Sequence, residues 1–183
     1  MGILKRNTVV LLTLVIAIAG CGDSNKTPQP SAAKSGTSPI VHVPPGFSER
    51  LPEELRSVAI NGGGKCNLER VNGQVFANDP IAVPRTGELQ FEGWIINEGA
   101  TVAMEQVWIR ASTGPKVLYS STESGPKRPD IVTAFKSPNY EASGFKAFMD
   151  SSKQPAGDYS LTLIGLSQGK AYMCDNGRRV SLK

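Results

Sequence analysis

Residues 88–112 read ELQFEGWIINEGATVAMEQVWIRAS, and their pattern decides the fold class. Leu89, Phe91 and Ile95 share one face of a first apolar run, and Val107, Ile109 and Ala111 share one face of a second. A period of two is the signature of a half-buried strand, because successive side chains leave the pleat on opposite sides. The runs are joined through Asn97-Glu98-Gly99, and both tryptophans, Trp94 and Trp108, lie within them. This stretch is the core of an all-β domain.

The same signals continue on both sides. Segments 57–60, 65–71, 74–76 and 81–83 are short and strand-like, punctuated by Gly62-Gly63-Gly64, Asn72-Gly73 and Asn78-Asp79-Pro80. Asn-Gly between strand-like residues predicts a tight hairpin, since both central positions of that turn need positive φ. After a strand at 116–121, residues 125–139 (GPKRPDIVTAFKSPN) break the pattern. Pro129 and Asp130 open a helix, Ile131, Val132 and Phe135 line one face, and Pro138 stops it, so one short helix is expected near 129–136. Strands at 145–149 and 158–166 follow, the second alternating Tyr159, Leu161 and Leu163 with Ser160 and Thr162. Turns at Ser167-Gln168-Gly169 and Asn176-Gly177 bound two more, 170–174 and 178–182. Many short strands at this spacing predict a β-sandwich of about seven to nine strands over residues 57–183.

The N-terminus is of another kind. Lys5 and Arg6 precede an apolar run at 9–19 that is too short to span a bilayer, which makes residues 1–20 a signal peptide. Ile18-Ala19-Gly20-Cys21 resembles the lipobox of bacterial lipoproteins. That resemblance implies cleavage before Cys21 and lipid on its sulfur and on the new amine, an anchor to the membrane. An ordinary secretory signal with a cysteine after its cleavage site is the alternative. A myristoylated Gly2 does not fit, because Arg6 stands where Ser or Thr is needed. Gly22 in place of Asp after the cysteine resembles the outer-membrane sorting rule of diderm bacteria, which implies the periplasmic face of the envelope.

Residues 21–56 then carry Pro, Ser, Lys, Gly, Thr and Ala with few large apolar residues, a tether unable to offset its ordering entropy. A flexible chain of that length spans about 30 Å. Where it meets the domain, 48–57 (SERLPEELRS) allows a short helical turn with Leu51 and Leu55 on one side. Removal of residues 1–20 takes away two basic side chains and no acid, leaving 18 basic against 16 acidic, net +2. That balance, with no basic run interleaved with aromatics, gives no case for nucleic acid. With Cys21 assigned to lipid, Cys66 and Cys174 remain as an even pair in an oxidising compartment. A structural disulfide joining the first and last strands is expected, with two separate buried thiols as the alternative.

Gly93-Trp94, Arg128-Pro129-Asp130-Ile131, Ser143-Gly144-Phe145 and the segment from Pro155 to Leu161 are similar, in order, to motifs of immunoglobulin-like β-sandwich modules. Such modules occur in bacterial envelope proteins, some attached to membrane enzymes that build surface glycans. The resemblance covers residues 66–182 and brings no catalytic residues with it. Gly-x-Tyr-x-Leu at Tyr159 resembles the tyrosine corner of Greek-key sandwiches. Leu161 stands where antibody domains carry their second inter-sheet cysteine, so the standard bridge is not expected and Cys66–Cys174 would join strands near the termini instead.

Reactive groups are sparse. The single histidine, His42, falls in the tether, so no Ser-His-Asp or Cys-His set assembles in the domain, and no metal or cofactor site is expected. A hydrolase would have to use a carboxylate pair among scattered acids such as Glu69, Glu92, Asp130 and Asp150. Arg128-Pro129-Asp130 reads either as a structural pair at a helix start or as an Arg128 site for an anionic sugar or phosphate. Trp94 and Trp108, with Arg110 and Glu92 beside them, would form an aromatic platform for sugar faces if both rings pointed outward. Coverage by the 128–135 segment, or a bulge at Gly93 turning Trp94 inward, are the alternatives. The leading expectation is a non-enzymatic, membrane-anchored envelope lipoprotein that binds or positions a protein partner or glycan. A carbohydrate-binding module and a carboxylate hydrolase stand behind it.

Overall fold

In a computed structural model of the chain, residues 47–77 and 80–183 are described. The signal segment, Cys21, His42, the tether up to residue 46 and Asn78-Asp79 lie outside the described residues.

Strands dominate. A four-residue helix, α1 (Glu53–Arg56), leads into β1 (Ile60–Gly62), β2 (Lys65–Val71), β3 (Gln74–Val75), β4 (Ile81–Val83) and β5 (Glu88–Asn97). β6 (Val102–Ala103), β7 (Gln106–Thr113), β8 (Lys116–Ser121) and β9 (Glu123–Ser124) come next. Helix α2 (Pro129–Phe135) precedes β10 (Gly144–Asp150), β11 (Gly157–Ser167) and β12 (Lys170–Leu182). Seven of these strands, β2, β5, β7, β8, β10, β11 and β12, have six residues or more, and the other five have two or three. The sequence expectation of about seven to nine strands and one inserted helix describes the long strands and α2 well.

The strands form two sheets. The first runs β1-β12-β11-β7-β8, with β4 also on β12, and the second runs β3-β2-β5-β10-β9, with β6 on β5. Taking β2, β5, β7, β8, β9, β10, β11 and β12 as A, B, C, C′, D, E, F and G, the sheets read G-F-C-C′ and A-B-E-D. That is the arrangement of an immunoglobulin-like sandwich. The two halves of the 88–112 stretch therefore do not pair with each other: β5 is central in one sheet and β7 lies in the other.

Turn chemistry explains the hairpins. Asn72 and Gly73 have φ 49° and 76° between β2 and β3, and Gln168 and Gly169 have φ 52° and 70° between β11 and β12. Asn176-Gly177, by contrast, is not a turn between strands. Leu161 pairs with Arg178 and Thr162 with Asp175, so the two residues bulge out of a single continuous β12.

Between the sheets the alternating residues interlock: Leu68, Phe91, Ile95, Ile109, Leu118, Phe145, Leu161 and Leu163 are at most 2% exposed. Fully burying one such side chain contributes about 1.5–3 kcal/mol. Cys66 of β2 and Cys174 of β12 are bonded across this core, with Cα atoms 6.2 Å apart and 108 positions between them. The expected pair forms, and it does link the two sheets, through their first and last long strands in place of the B and F strands of antibody domains.

Both outer faces are roofed as well. On the first sheet Trp108, Ile164 and Ala171 pack under Leu55 of α1 with Leu51 and Val58. On the second, Ile96 packs with Ile131 of α2 and Tyr140, and Trp94, Val132 and Phe135 join them. The folded body therefore begins earlier than residue 57: Phe47 packs against the central core and Leu55 is 1% exposed. Two leucines spaced four apart gave that short segment an apolar side, and an uncovered tryptophan face gave it a place to bury it. Among the described residues no helix is long and apolar enough to cross a membrane.

Candidate functional site

The charged cluster at Arg128 is assembled by two irregularities. β2 pairs Leu68 with Gly93 and Arg70 with Glu92, which leaves Glu69 as an extra residue bulged out of β2. Gly93 permits this close approach: a Cβ there would collide with the Asn67 carbonyl oxygen and lie 2.9 Å from Cζ of Phe145. The expected irregularity near Gly93 is thus on the partner strand, and Trp94 still faces outward under α2.

The bulged Glu69 meets Arg128 at the start of α2. Arg128 Nη1 donates to Glu69 Oε2 at 3.1 Å and Nη2 to Oε1 at 2.9 Å. Its Nε donates to Asp130 Oδ1 at 2.9 Å and Nη2 to Oδ2 at 2.6 Å. The guanidinium, with an 11% exposed side chain, is forked on both edges by carboxylates. The hydrogen bond from Arg128, ahead of the attraction of its charge, pulls the Asp130 carboxyl down to about 2, and the same contact raises Arg128 further above its usual range.

Arg128 and Asp130 also line a polar hollow of about 400 Å³ with Glu69, Asn67, Arg70 and Arg178. Arg178 donates to the carbonyl of Ala77 and to Asn67 Oδ1, both at 3.2 Å, and stacks over Phe76 at 5.9 Å. An anion entering here would meet an arginine whose donors already serve two carboxylates, beside two negative charges. The pKa values of Asp130 and Asp150 are both lowered, that of Asp150 chiefly through the Ser152 hydroxyl. A general acid needs the opposite shift.

The tryptophans are not brought together. Trp108 is 4% exposed under α1, and Trp94 is half-buried on the other sheet with its ring 5.6 Å from that of Phe135. They occupy opposite outer faces of the sandwich, so no shared aromatic platform exists between them. Arg110 lies beside Trp108 on β7 with Nη1 3.5 Å from Ser112 Oγ, and Glu92 lies beside Trp94, 3.5 Å from the Lys146 ammonium. Tyr159 is 1% exposed and its hydroxyl donates to the carbonyl of Pro155 at 3.0 Å, closing the corner before β11.

A second hollow was not foreseen. Where the chain leaves β8 of one sheet for β9 of the other, a cleft of about 250 Å³ opens between β7 and β10. Among the described residues, its lining includes Glu54, Glu105 and Glu123, with Met104, Trp108 and Phe145 supplying apolar surface, and holds no basic residue. Ser143 also lines it; the residue is 3% exposed and its hydroxyl has no hydrogen-bond partner. The lining comes from four separate stretches of chain, so no local motif marks it. Compared with protein-family models, curated proteins and solved structures, the chain matches none, and the site rests on its own geometry.

Proposed function

We propose that this chain is a bacterial envelope lipoprotein, anchored through acylated Cys21 on the periplasmic face of the outer membrane, whose sandwich works by binding a partner protein or glycan. The observation that carries the reading is Ile18-Ala19-Gly20-Cys21 directly behind a basic start and an apolar run of less than membrane-spanning length. The architecture supports it. The most distinctive charged cluster is closed on itself, and the disulfide suits an oxidising compartment.

Cells supplied with an alkyne-tagged palmitate test the anchor. The wild-type chain takes up label and sediments with outer membranes, and Cys21→Ala is unlabelled and released. An unlabelled wild-type chain overturns the anchor. Crosslinking in intact envelopes then recovers a protein or polysaccharide bound to the sandwich, and recovery of neither overturns the binding role.

A further inference from the structure

We propose that residues 47–58 form a releasable strap that occupies, within the chain, the docking site of a partner-protein segment built like the strap itself. This deepens the binding role and rests on it for the partner, but does not depend on acylation of Cys21.

The surface beneath the strap is the first argument. An antiparallel sheet with one face on the core commonly turns polar residues outward on the other. Here Trp108 of β7, Ile164 of β11 and Ala171 of β12 form one outward apolar patch, and Tyr119 of β8 packs with them. The patch continues beside the strap. Met173, paired with Ile164, and Ile60, paired with Ala171, are two of the three exposed large apolar side chains among the described residues. A contiguous apolar surface on an outer sheet face marks a place of contact.

The second argument is how little fastens the strap. Of residues 47–58 only Leu55 is buried, and Phe47, Leu51 and Val58 are partly so. Two backbone hydrogen bonds, both between Ser48 and Tyr119, and one exposed ion pair, Glu49 with Lys116, tie it to the sheet. Among the described residues its remaining hydrogen bonds are internal, such as Arg50 N–H to Ser48 Oγ and Arg56 Nε to the Leu51 carbonyl. Helix α1 has no side-chain cap. A hollow of about 450 Å³ is lined jointly by Leu51 and Pro52 of the strap and by Trp108 and Tyr119 of the sheet, so packing there is incomplete. A segment with so few buried contacts opens ahead of the domain it lies on.

Release uncovers two things at once: the backbone N–H and C=O of Tyr119 on the β8 edge, and the apolar ground around Trp108. Backbone pairing at a sheet edge with apolar side chains seated beside it is a general mode of peptide recognition. The strap itself shows what fits. It is a stretch that pairs with Tyr119, followed by two leucines one helical turn apart.

The test uses the full-length chain in detergent. Amide exchange read by NMR is expected to be at least about tenfold faster at Tyr119, whose N–H is given to the Ser48 carbonyl, than along β11. A synthetic peptide of residues 47–58 is then titrated by calorimetry. Leu51→Ala/Leu55→Ala, with its own strap unseated, is expected to bind the peptide saturably and at least about tenfold tighter than the wild-type chain, whose strap competes. Trp emission shifts to longer wavelength in that variant and returns on peptide binding. A peptide with alanine at both leucines does not bind. Ser48→Pro, which deletes the N–H given to Tyr119 and removes no core side chain, repeats the titration should the leucine variant unfold. Exchange at Tyr119 as slow as in β11 overturns the release, and absence of saturation up to about 1 mM in a folded variant overturns the docking site. Dimers of the variant in sedimentation would give the site to a second copy and overturn the partner reading. Failed crosslinking in envelopes alongside peptide binding sinks the partner alone, and every result here leaves the palmitate test of the anchor untouched.

Discussion

The two hollows hold similar inventories of acid and differ in how that acid is arranged. Around Arg128, Glu69 and Asp130 are both taken up by one guanidinium, with four hydrogen bonds of 2.6–3.1 Å. Around the β7–β10 cleft, the glutamates of the lining, Glu54, Glu105 and Glu123, come from three separate elements, and Glu105 accepts from the Gln168 N–H at 2.9 Å. Charge satisfied in this way ties elements together, here β2 to the start of α2. Had Arg128 stood alone it would have been the better candidate for an anion. The bulge at Glu69 is what removes it from that role.

The sharpest way to break the contrast is through the disulfide, which ties β2, bearing Glu69, to β12, bearing Arg178. Cys66→Ser/Cys174→Ser is expected to lose about 3–5 kcal/mol in denaturant unfolding. Arg128→Ala comes next. It strands the part-buried Glu69 carboxylate, and a loss of about 2–4 kcal/mol is expected in the same measurement. An unchanged midpoint for Arg128→Ala would reopen it as a ligand residue.

Asp130→Asn is the smallest change, below about 1 kcal/mol at neutral pH because the carboxylate is mostly exposed and screened. Its pH dependence has a definite sign. The folded-state pKa of Asp130 lies below its ordinary value of 3.8, at about 2, so its contribution is fully present above the ordinary value and fades as pH falls toward 2. Melting curves of wild type and Asp130→Asn should therefore converge over that acid window.

Much of the fold is legible because it is written locally. The β-runs, the Asn72-Gly73 and Gln168-Gly169 turns, the 129–135 helix and the Tyr159 corner each depend on residues a few positions apart. What period two cannot say is which sheet a strand joins, and so β5 and β7 look like neighbours in sequence while belonging to opposite layers. Nor does it say what covers an outward tryptophan: Leu55 lies 53 positions before Trp108, and Phe135 lies 41 after Trp94. Asn176-Gly177 carries the same backbone signal as a hairpin, and only the uninterrupted pairing of β11 with β12 makes it a bulge. The Glu69–Arg128 contact spans 59 positions and follows from that kind of irregularity, and the cleft draws on four segments at once.

Ser48 has a consequence of its own. Its N–H donates to the carbonyl of Tyr119 at 3.0 Å and its carbonyl accepts from Tyr119 N–H at 2.8 Å, while Glu49 pairs with Lys116 at 2.9 Å. The β8 edge of the first sheet is thereby stoppered at its middle by the segment just before α1. Crowded copies sharing one surface find that rim occupied, and zippering into fibres by backbone addition is denied a template there.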